Sequence, residues 1–461
     1  MPSSKLTLLC LLATAACADS TPSPVHEPAR ILVAAGDAQH AAADATLPAP
    51  VQFRVVDATG NPVAHVTVHL TVMSGSGRLS DENLVTDDQG SITVTWTLGS
   101  LAGLQRVEAR VGAAIAVEVS ATACLAEECV DEPVDEVSLL TLPTYDGSGQ
   151  VVHPDVARAT GSLSPFWLAV TPYPGGSAAY ENPSLFEGVD RRTWSIPPGG
   201  SNPVERPPLG KYLSDPDIVF DDATRRLWLF YREVIDGENR ILAAVSSDGT
   251  HWSAPATVTS AANHQIVSPS VVHAAPGAPW LMWAVNAGPA GCAAATTTVE
   301  RRSSTDGTRW TAPVATDLAQ PGRNIWHIDV QWIPARLEYW ALYNTFPTGT
   351  SCVTDAIYLA TSPDGLRWTT YPSPVARRGM IDAFADIVYR STFLADPARG
   401  TVTLWISGAK FTAGIGYNWQ AATVTRRIAD LFATITAPPA ATLRIPVRRD
   451  LPVPEPDVGT P

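Results

Sequence analysis

Five short stretches of the chain carry histidine, aspartate, serine and arginine in one shared register. They are His153-Pro-Asp-Val156, Asp215-Pro-Asp-Ile218, Ser268-Pro-Ser-Val271, His327-Ile-Asp-Val330 and Arg390-Ser-Thr-Phe393. On strands, alternate side chains share a face, so the alignment predicts two stacked rings. One ring holds His153, Asp215, Ser268, His327 and Arg390. The other holds Asp155, Asp217, Ser270, Asp329 and Thr392. Four aspartates, two histidines and an arginine are gathered here in a chain only 16% charged. Charges crowded round one axis raise one another's cost and persist mainly where function or a metal compensates them. The plainer alternative is that some cap strands or bond a neighbour's backbone.

The chemistry such groups suit is hydrolysis with an acid and a second carboxylate. For a glycosidic bond the two stand about 5 Å apart for retention and about 6.5–9.5 Å apart for inversion. The candidate catalytic carboxylates are Asp155, Asp215, Asp217 and Glu181, the last from Tyr180-Glu-Asn-Pro-Ser184. Glu181 meets the requirement with Asp155 or Asp217 if its loop bends inward. Candidate substrate-binding residues are His153, Tyr180, His327, Asp329, Arg232 and Arg390. Either arginine can keep a carboxylate ionised or bind an acidic sugar. Trp167, Tyr173, Tyr180, Trp283 and Trp326 offer flat faces to sugar rings, although most tryptophans in such a fold are core.

The elements that must position these residues repeat. Trp194, Trp252, Trp310 and Trp368 follow one another at intervals of 58 residues, each closing a phrase: Asp190-Arg-Arg-Thr-Trp, Asp248-Gly-Thr-His-Trp, Asp306-Gly-Thr-Arg-Trp and Asp364-Gly-Leu-Arg-Trp. An Asp-Gly turn closing a hairpin explains the phrase. Upstream of each lies an apolar strand, Phe166-Trp-Leu-Ala-Val170, Leu227-Trp-Leu-Phe-Tyr231, Trp280-Leu-Met-Trp283 and Tyr339-Trp-Ala-Leu-Tyr343, with a fifth copy at Thr403-Leu-Trp-Ile406. Five strand-rich copies predict a five-bladed β-propeller over 137–445, with the two rings lining its channel.

The region resembles the clan of propeller glycoside hydrolases that includes arabinanases, xylosidases and invertases, through Ser214-Asp-Pro-Asp-Ile-Val-Phe-Asp-Asp222 and the Asp-Gly-x-x-Trp hairpins. The resemblance implies three working carboxylates, a base or nucleophile in blade one, an acid-tuning aspartate in blade two and a glutamate acid in blade three. Asp215 matches the tuning aspartate. His153, with Asp155 two residues on, stands where the base would be, and Ser268 stands where the acid would be. The expected activity is therefore that of a glycoside hydrolase, with non-catalytic glycan binding or adhesion as the alternative. No cofactor is required. His327 is a candidate to help hold a central divalent cation, as a channel histidine does in some arabinanase-like members, but hard cations prefer oxygen donors and no metal ligand is assigned.

Residues 28–123 alternate with period two (Val51, Phe53, Val55; Val66, Val68, Leu70, Val72; Ile92, Val94, Trp96, Leu98) between turn signals. That pattern predicts a β-sandwich. Val56-Asp-Ala-Thr-Gly-Asn-Pro-Val63, Ser74-Gly-Ser-Gly77, Thr86-Asp-Asp-Gln-Gly90 and Trp96-Thr-Leu-Gly99 resemble the bacterial immunoglobulin-like group 1 family of invasin and intimin adhesins, which implies a spacer. The predicted class is all-β, an immunoglobulin-like sandwich followed by the propeller, joined by a linker at 124–136.

Residues 1–17 read as an export signal, Lys5 preceding the apolar Leu6–Leu12, too short to span a bilayer. Ala13-Thr-Ala-Ala-Cys17 resembles a lipobox that would lipidate Cys17; ordinary cleavage after Ala15 is the alternative. A tether (18–27) and a Pro-rich tail (446–461) flank the folded body. These features predict a lipid-anchored protein of the cell envelope that meets a poly- or oligosaccharide. In that oxidising setting Cys124, Cys129, Cys292 and Cys352 are expected in disulfides, the last two between adjacent blades. Nucleic acid is excluded as a partner by 31 Lys+Arg against 45 Asp+Glu, a net charge of −14.

Overall fold

The computed structural model describes residues 27–438, apart from 38, 102, 125–134, 161–162, 207–209, 236 and 398. The expected export signal with Cys17, most of the expected tether, Cys129 and the C-terminal tail therefore lie outside the described residues. The chain divides into two compact units, 1–39 with 44–121, and 40–43 with 122–461. No described helix is long and apolar enough to cross a membrane.

The first unit is a sandwich. Arg30–Ala35, Val51–Val56 and Ser91–Val94 form one sheet, and Gly103–Val111, Thr67–Ser74 and Asn83–Val85 belong to the other. The alternating residues Val51, Phe53, Val55, Val68, Leu70, Ile92, Val94, Trp96, Val107 and Ala109 are all buried. Burial of one face at period two is what fixes the register.

The second unit is the propeller. Five antiparallel sheets follow in chain order, with innermost strands Val151–Arg158, Tyr212–Asp221, Val267–His273, Arg323–Ile333 and Ile387–Asp396. Each innermost strand packs on the next, and the fifth packs on the first, closing a ring. The chain fastens the ring itself, because Val137–Leu139 pairs with Gly416–Arg427 as the outer strand of the last sheet. Apolar side chains fill each gap between sheets. Trp167, Ala169 and Leu185 of blade one meet Leu213, Ile218, Leu227 and Tyr231 of blade two, and Trp283 and Leu281 of blade three meet Ile328, Val330 and Tyr343 of blade four. Strands covered on both faces read as continuous apolar runs, hence Phe166–Pro172, with every residue buried. A helix at Ile428–Thr436, which the sequence pattern did not signal, seats Leu431 and Ile435 in the core between blades four and five.

The repeated phrase has a clear mechanical role. Asp248 Oδ1 accepts from the backbone N–H groups of Thr250 and His251 at 2.8 Å, and Ser246 Oγ accepts from the Gly249 N–H at 2.8 Å. Asp306 and Asp364 repeat the pattern. The glycine that follows docks on the previous blade. Gly249 lies on the Trp167 ring, Gly307 beside Trp228, and Gly365 on Trp283, whose indole N–H donates to the Gly365 carbonyl at 2.8 Å. A Cβ on Gly249 would sit 1.8 Å from the Trp167 ring. The expected disulfide also forms, Cys292 to Cys352 with Cα atoms 4.8 Å apart, joining blades three and four.

Gly249→Ala should therefore destabilise the propeller by roughly 3 kcal/mol or more, since overpacking adds to left-handed backbone strain. Gly277→Ala shares the positive φ (+82°) but meets nothing within 4 Å, so it should cost only about 1–2 kcal/mol. Urea unfolding of the two variants against wild type checks the difference; equal losses would contradict the blade-to-blade docking.

Candidate functional site

Each innermost strand is interrupted at the same height. The register shifts between Val152 and Asp155, Ser214 and Asp217, Val267 and Ser270, Ile325 and His327, and Val388 and Ser391. In the first three blades the bulged residue precedes proline and takes a left-handed backbone, φ +55° at His153, +51° at Asp215 and +54° at Ser268. Such conformations cost about 1–3 kcal/mol each in non-glycine residues and gather at functional sites. The bulges turn these side chains toward the axis.

Asp215 is the hub. Its Oδ2 meets Arg232 Nε at 2.8 Å and accepts from the Ser268 N–H at 3.2 Å. Its Oδ1 has no hydrogen-bond partner; it faces His153 Nε2 at 3.3 Å and His327 Nδ1 at 3.4 Å, both also without one. The three residues are buried, and the three ligand-capable atoms lie within 4.8 Å of one another. His153 is oriented from behind by a 2.8 Å hydrogen bond between Nδ1 and Thr171 Oγ1. Burial pushes the His153 imidazole down to about 3 and lowers His327 well below the usual range, the attraction of Asp215 notwithstanding. Burial would raise Asp215, but the Arg232 guanidinium beside it holds it well below the carboxylate range. The centre is thus an ionised carboxylate facing two neutral imidazoles.

Glu181 completes this layer. The turn Ala178–Tyr180 ends at Glu181, whose N–H bonds the Ala178 carbonyl and whose carbonyl accepts from the Leu213 N–H. Its Oε2 is 3.7 Å from His153 Nδ1. Burial, then the charge of Asp215, raises its pKa well above the ordinary carboxylate value.

The second ring behaves differently. Asp155 Oδ2 accepts from the Ile218 N–H at 2.7 Å, Asp217 Oδ2 from Val271 N–H at 3.0 Å, Ser270 Oγ from Val330 N–H at 2.8 Å, and Asp329 Oδ2 from Thr392 Oγ1 at 3.0 Å. Through this ring blades one to four each bond the blade that follows. Asp155, Asp217 and Asp329 converge; burial raises all three, and repulsion from a neighbouring aspartate adds to it at Asp217 and at Asp155, which is pushed up to about 8.

The structure corrects one placement. Arg390 is not a member of the His153 ring. Its Nη1 donates to the Pro216 carbonyl at 2.7 Å and its Nη2 to the Pro269 carbonyl at 3.2 Å, with Asp217 at 3.6 Å and Asp155 at 3.9 Å. The bulge between Val388 and Ser391 puts Tyr389 in that ring instead, its ring centroid 4.5 Å from His327 and 5.3 Å from His153. Tyr389 also bonds Trp326, and burial keeps its hydroxyl protonated. Tyr212 was missed by sequence as well; it neighbours Arg232 and Glu181. Glu181 comes together with Asp215 and His153, while Asp155 and Asp217 serve the lower ring. Tyr180 stays 42% exposed before Glu181, its carbonyl accepting from Tyr145. Trp167 and Trp283 are core, each under the hairpin glycine of the following blade.

With this geometry in hand, the comparisons can be placed. Residues 32–123 match the model of the bacterial Ig-like domain, group 1, as the motif order there leads one to expect. No curated protein matches the chain. Among solved structures, an N-acetylgalactosamine deacetylase from F. plautii in complex with blood group B trisaccharide is similar at 22% identity and TM-score 0.60, over 64% of this chain and 96% of that one. A thermostable family-43 glycoside hydrolase (14% identity, TM-score 0.45, 60% and 88% covered) and the α-L-arabinofuranosidase of Podospora anserina in complex with cellotriose (14%, 0.45, 63% and 95%) are also similar. The first likeness shows the fold, and the expected propeller stands at that level.

Arg232→Met should destabilise the protein by about 3–5 kcal/mol, because it leaves the Asp215 charge buried and unpaired. The double variant Arg232→Met with Asp215→Leu should recover part of that loss. Denaturant unfolding of both checks the pairing; an equal or larger loss in the double variant would argue against it.

Proposed function

We propose that the propeller is a carbohydrate-active hydrolase whose reacting centre is a divalent-cation site formed by His153, Asp215 and His327, and that it removes an N-acyl group from an amino sugar. The observation that carries this reading is the meeting of three buried, unpartnered ligand atoms, His153 Nε2, Asp215 Oδ1 and His327 Nδ1. Two imidazoles and one carboxylate make a donor set suited to zinc-like cations. The residues behind them are those a ligand set needs: Thr171 orients His153, and Arg232 with the Ser268 N–H fixes the rear oxygen of Asp215.

A bound cation would polarise the acyl carbonyl and lower the pKa of a water. In the reaction the carbon–nitrogen bond breaks, the water's oxygen joins the acyl carbon, and a proton reaches the departing nitrogen. Glu181, beside His153 and Asp215, is the group placed to move that proton. Tyr389 holds a neutral hydroxyl over the two imidazoles and can donate to a carbonyl oxygen. The deacetylase neighbour acts on N-acetylgalactosamine, which supports the amino-sugar substrate.

A second reading, glycosidic cleavage, is favoured by a different observation: Glu181 is held protonated beside an ionised Asp215, the pairing of acid and carboxylate that such a reaction uses. We infer the setting from the sequence: export, lipid attachment at Cys17 and a place in the cell envelope. The Cys292–Cys352 disulfide supports an oxidising compartment.

The two reactions leave different products. Incubation with N-acetylgalactosaminides should release acetate and a free amine, stop with EDTA and resume with Zn²⁺. Asp215→Asn should lose at least about 100-fold in kcat/KM. Release of reducing sugar without acetate, indifferent to EDTA, would replace this reading with glycosidic cleavage.

A further inference from the structure

The last blade carries a long hairpin, Thr401–Thr412 with Gly416–Arg427, whose pairing runs out to Thr412 opposite Gly416. Beyond the core its side chains are aromatic on one face. Phe411 pairs directly with Tyr417, and Ala409 pairs with Trp419, so period two puts Phe411, Tyr417 and Trp419 on the same side. Their rings form a connected series that begins at the reacting centre. Tyr389 lies 4.5 Å from His327, Trp419 lies 5.3 Å from Tyr389, Tyr417 lies 6.0 Å from Trp419, and Phe411 lies 5.3 Å from Tyr417.

The series grades from buried to exposed as it leaves the axis. Trp419 is 5% exposed and Phe411 is 52% exposed, with Ile415 at the turn 80% exposed. An aromatic residue half in water needs a reason, because apolar surface exposed next to a polar centre marks a binding surface. The strip is also anchored. Gln150 Oε1 accepts from the Trp419 N–H and the Gly175 N–H, both at 3.1 Å, which ties the hairpin to the first blade's loop. Asp386 Oδ2 accepts from the Phe411 N–H at 2.7 Å. The Trp419 indole nitrogen is buried beside Gly176 of the first blade's loop, which fixes the inner end of the strip.

We propose that this hairpin face is an extended subsite for the further sugar units of an oligosaccharide whose reacting unit lies at His153, Asp215 and His327. The exposed rings at the outer end of the strip fit the apolar faces of pyranose units. A lone monosaccharide would leave Tyr417 and Phe411 without contact. The inference rests on the functional reading above and adds the substrate class: an oligosaccharide or glycan chain, rather than a free amino sugar.

The test compares methyl N-acetylgalactosaminide with trisaccharides ending in N-acetylgalactosamine, using the whole protein, wild type and the variants Phe411→Ala, Phe411→Trp and Tyr417→Ala. Calorimetric binding is measured beside turnover, with a thermal melt to confirm that each variant folds. Phe411→Ala and Tyr417→Ala should weaken trisaccharide binding and raise its KM about tenfold, leave monosaccharide kinetics unchanged, and Phe411→Trp should restore both. Unaltered trisaccharide affinity in the alanine variants, or no trisaccharide binding to wild type, would overturn the subsite. Loss of acetate release from both substrates, with trisaccharide binding still sensitive to Phe411, would overturn the reaction assigned above and leave the subsite standing.

Discussion

One ion pair organises the centre of the propeller. Asp215, fully buried, stays charged only because Arg232 and the Ser268 N–H take its rear oxygen. An isolated buried carboxylate would protonate instead. Because it remains an anion, its front oxygen is an unfilled acceptor between two imidazoles that burial keeps neutral. Uncharged nitrogens and an anionic oxygen around one point are what a divalent cation binds, and what a purely structural cluster would have no reason to leave unbonded.

The scaffold explains how such a point can exist. A ring of five sheets brings five strand segments to one axis, and the bulge in each decides which side chain looks inward. The lower ring turns the same geometry to stability, every carboxyl or hydroxyl there gripping a neighbouring blade. Arg390 ties the layers together by holding the bulge carbonyls of Pro216 and Pro269. The two rings thus divide the labour, the lower one closing the propeller and the upper one holding reactive groups.

Much of this was legible in the sequence, and the reasons are physical. The Asp-Gly-x-x-Trp spacing marks hairpins whose glycines must fit against a tryptophan, so the repeat was legible from three hairpins and the apolar strands upstream of them. His153, Asp215 and His327 could be aligned because each begins an inner strand. Arg390 was set one residue astray because a bulge is invisible to period two: in the first three blades a proline follows the bulged residue, but in the last Tyr389-Arg390-Ser391 has no such mark. The role of Asp155 and Asp217 was likewise hidden, since a carboxylate bonding the next blade and one awaiting substrate look alike in sequence. Trp167 and Trp283 read as flat ligand faces yet lie in the core, whereas Tyr389 and Trp419, outside the repeated phrases, gave no signal.

The central claim is that His153, Asp215 and His327 hold a divalent cation. The most direct measurement is diffraction from crystals grown with Zn²⁺, collected on both sides of the zinc absorption edge. The account predicts one anomalous peak bonded to His153 Nε2, Asp215 Oδ1 and His327 Nδ1. A map with no peak there, and the imidazoles instead hydrogen-bonded to Asp215, would contradict it.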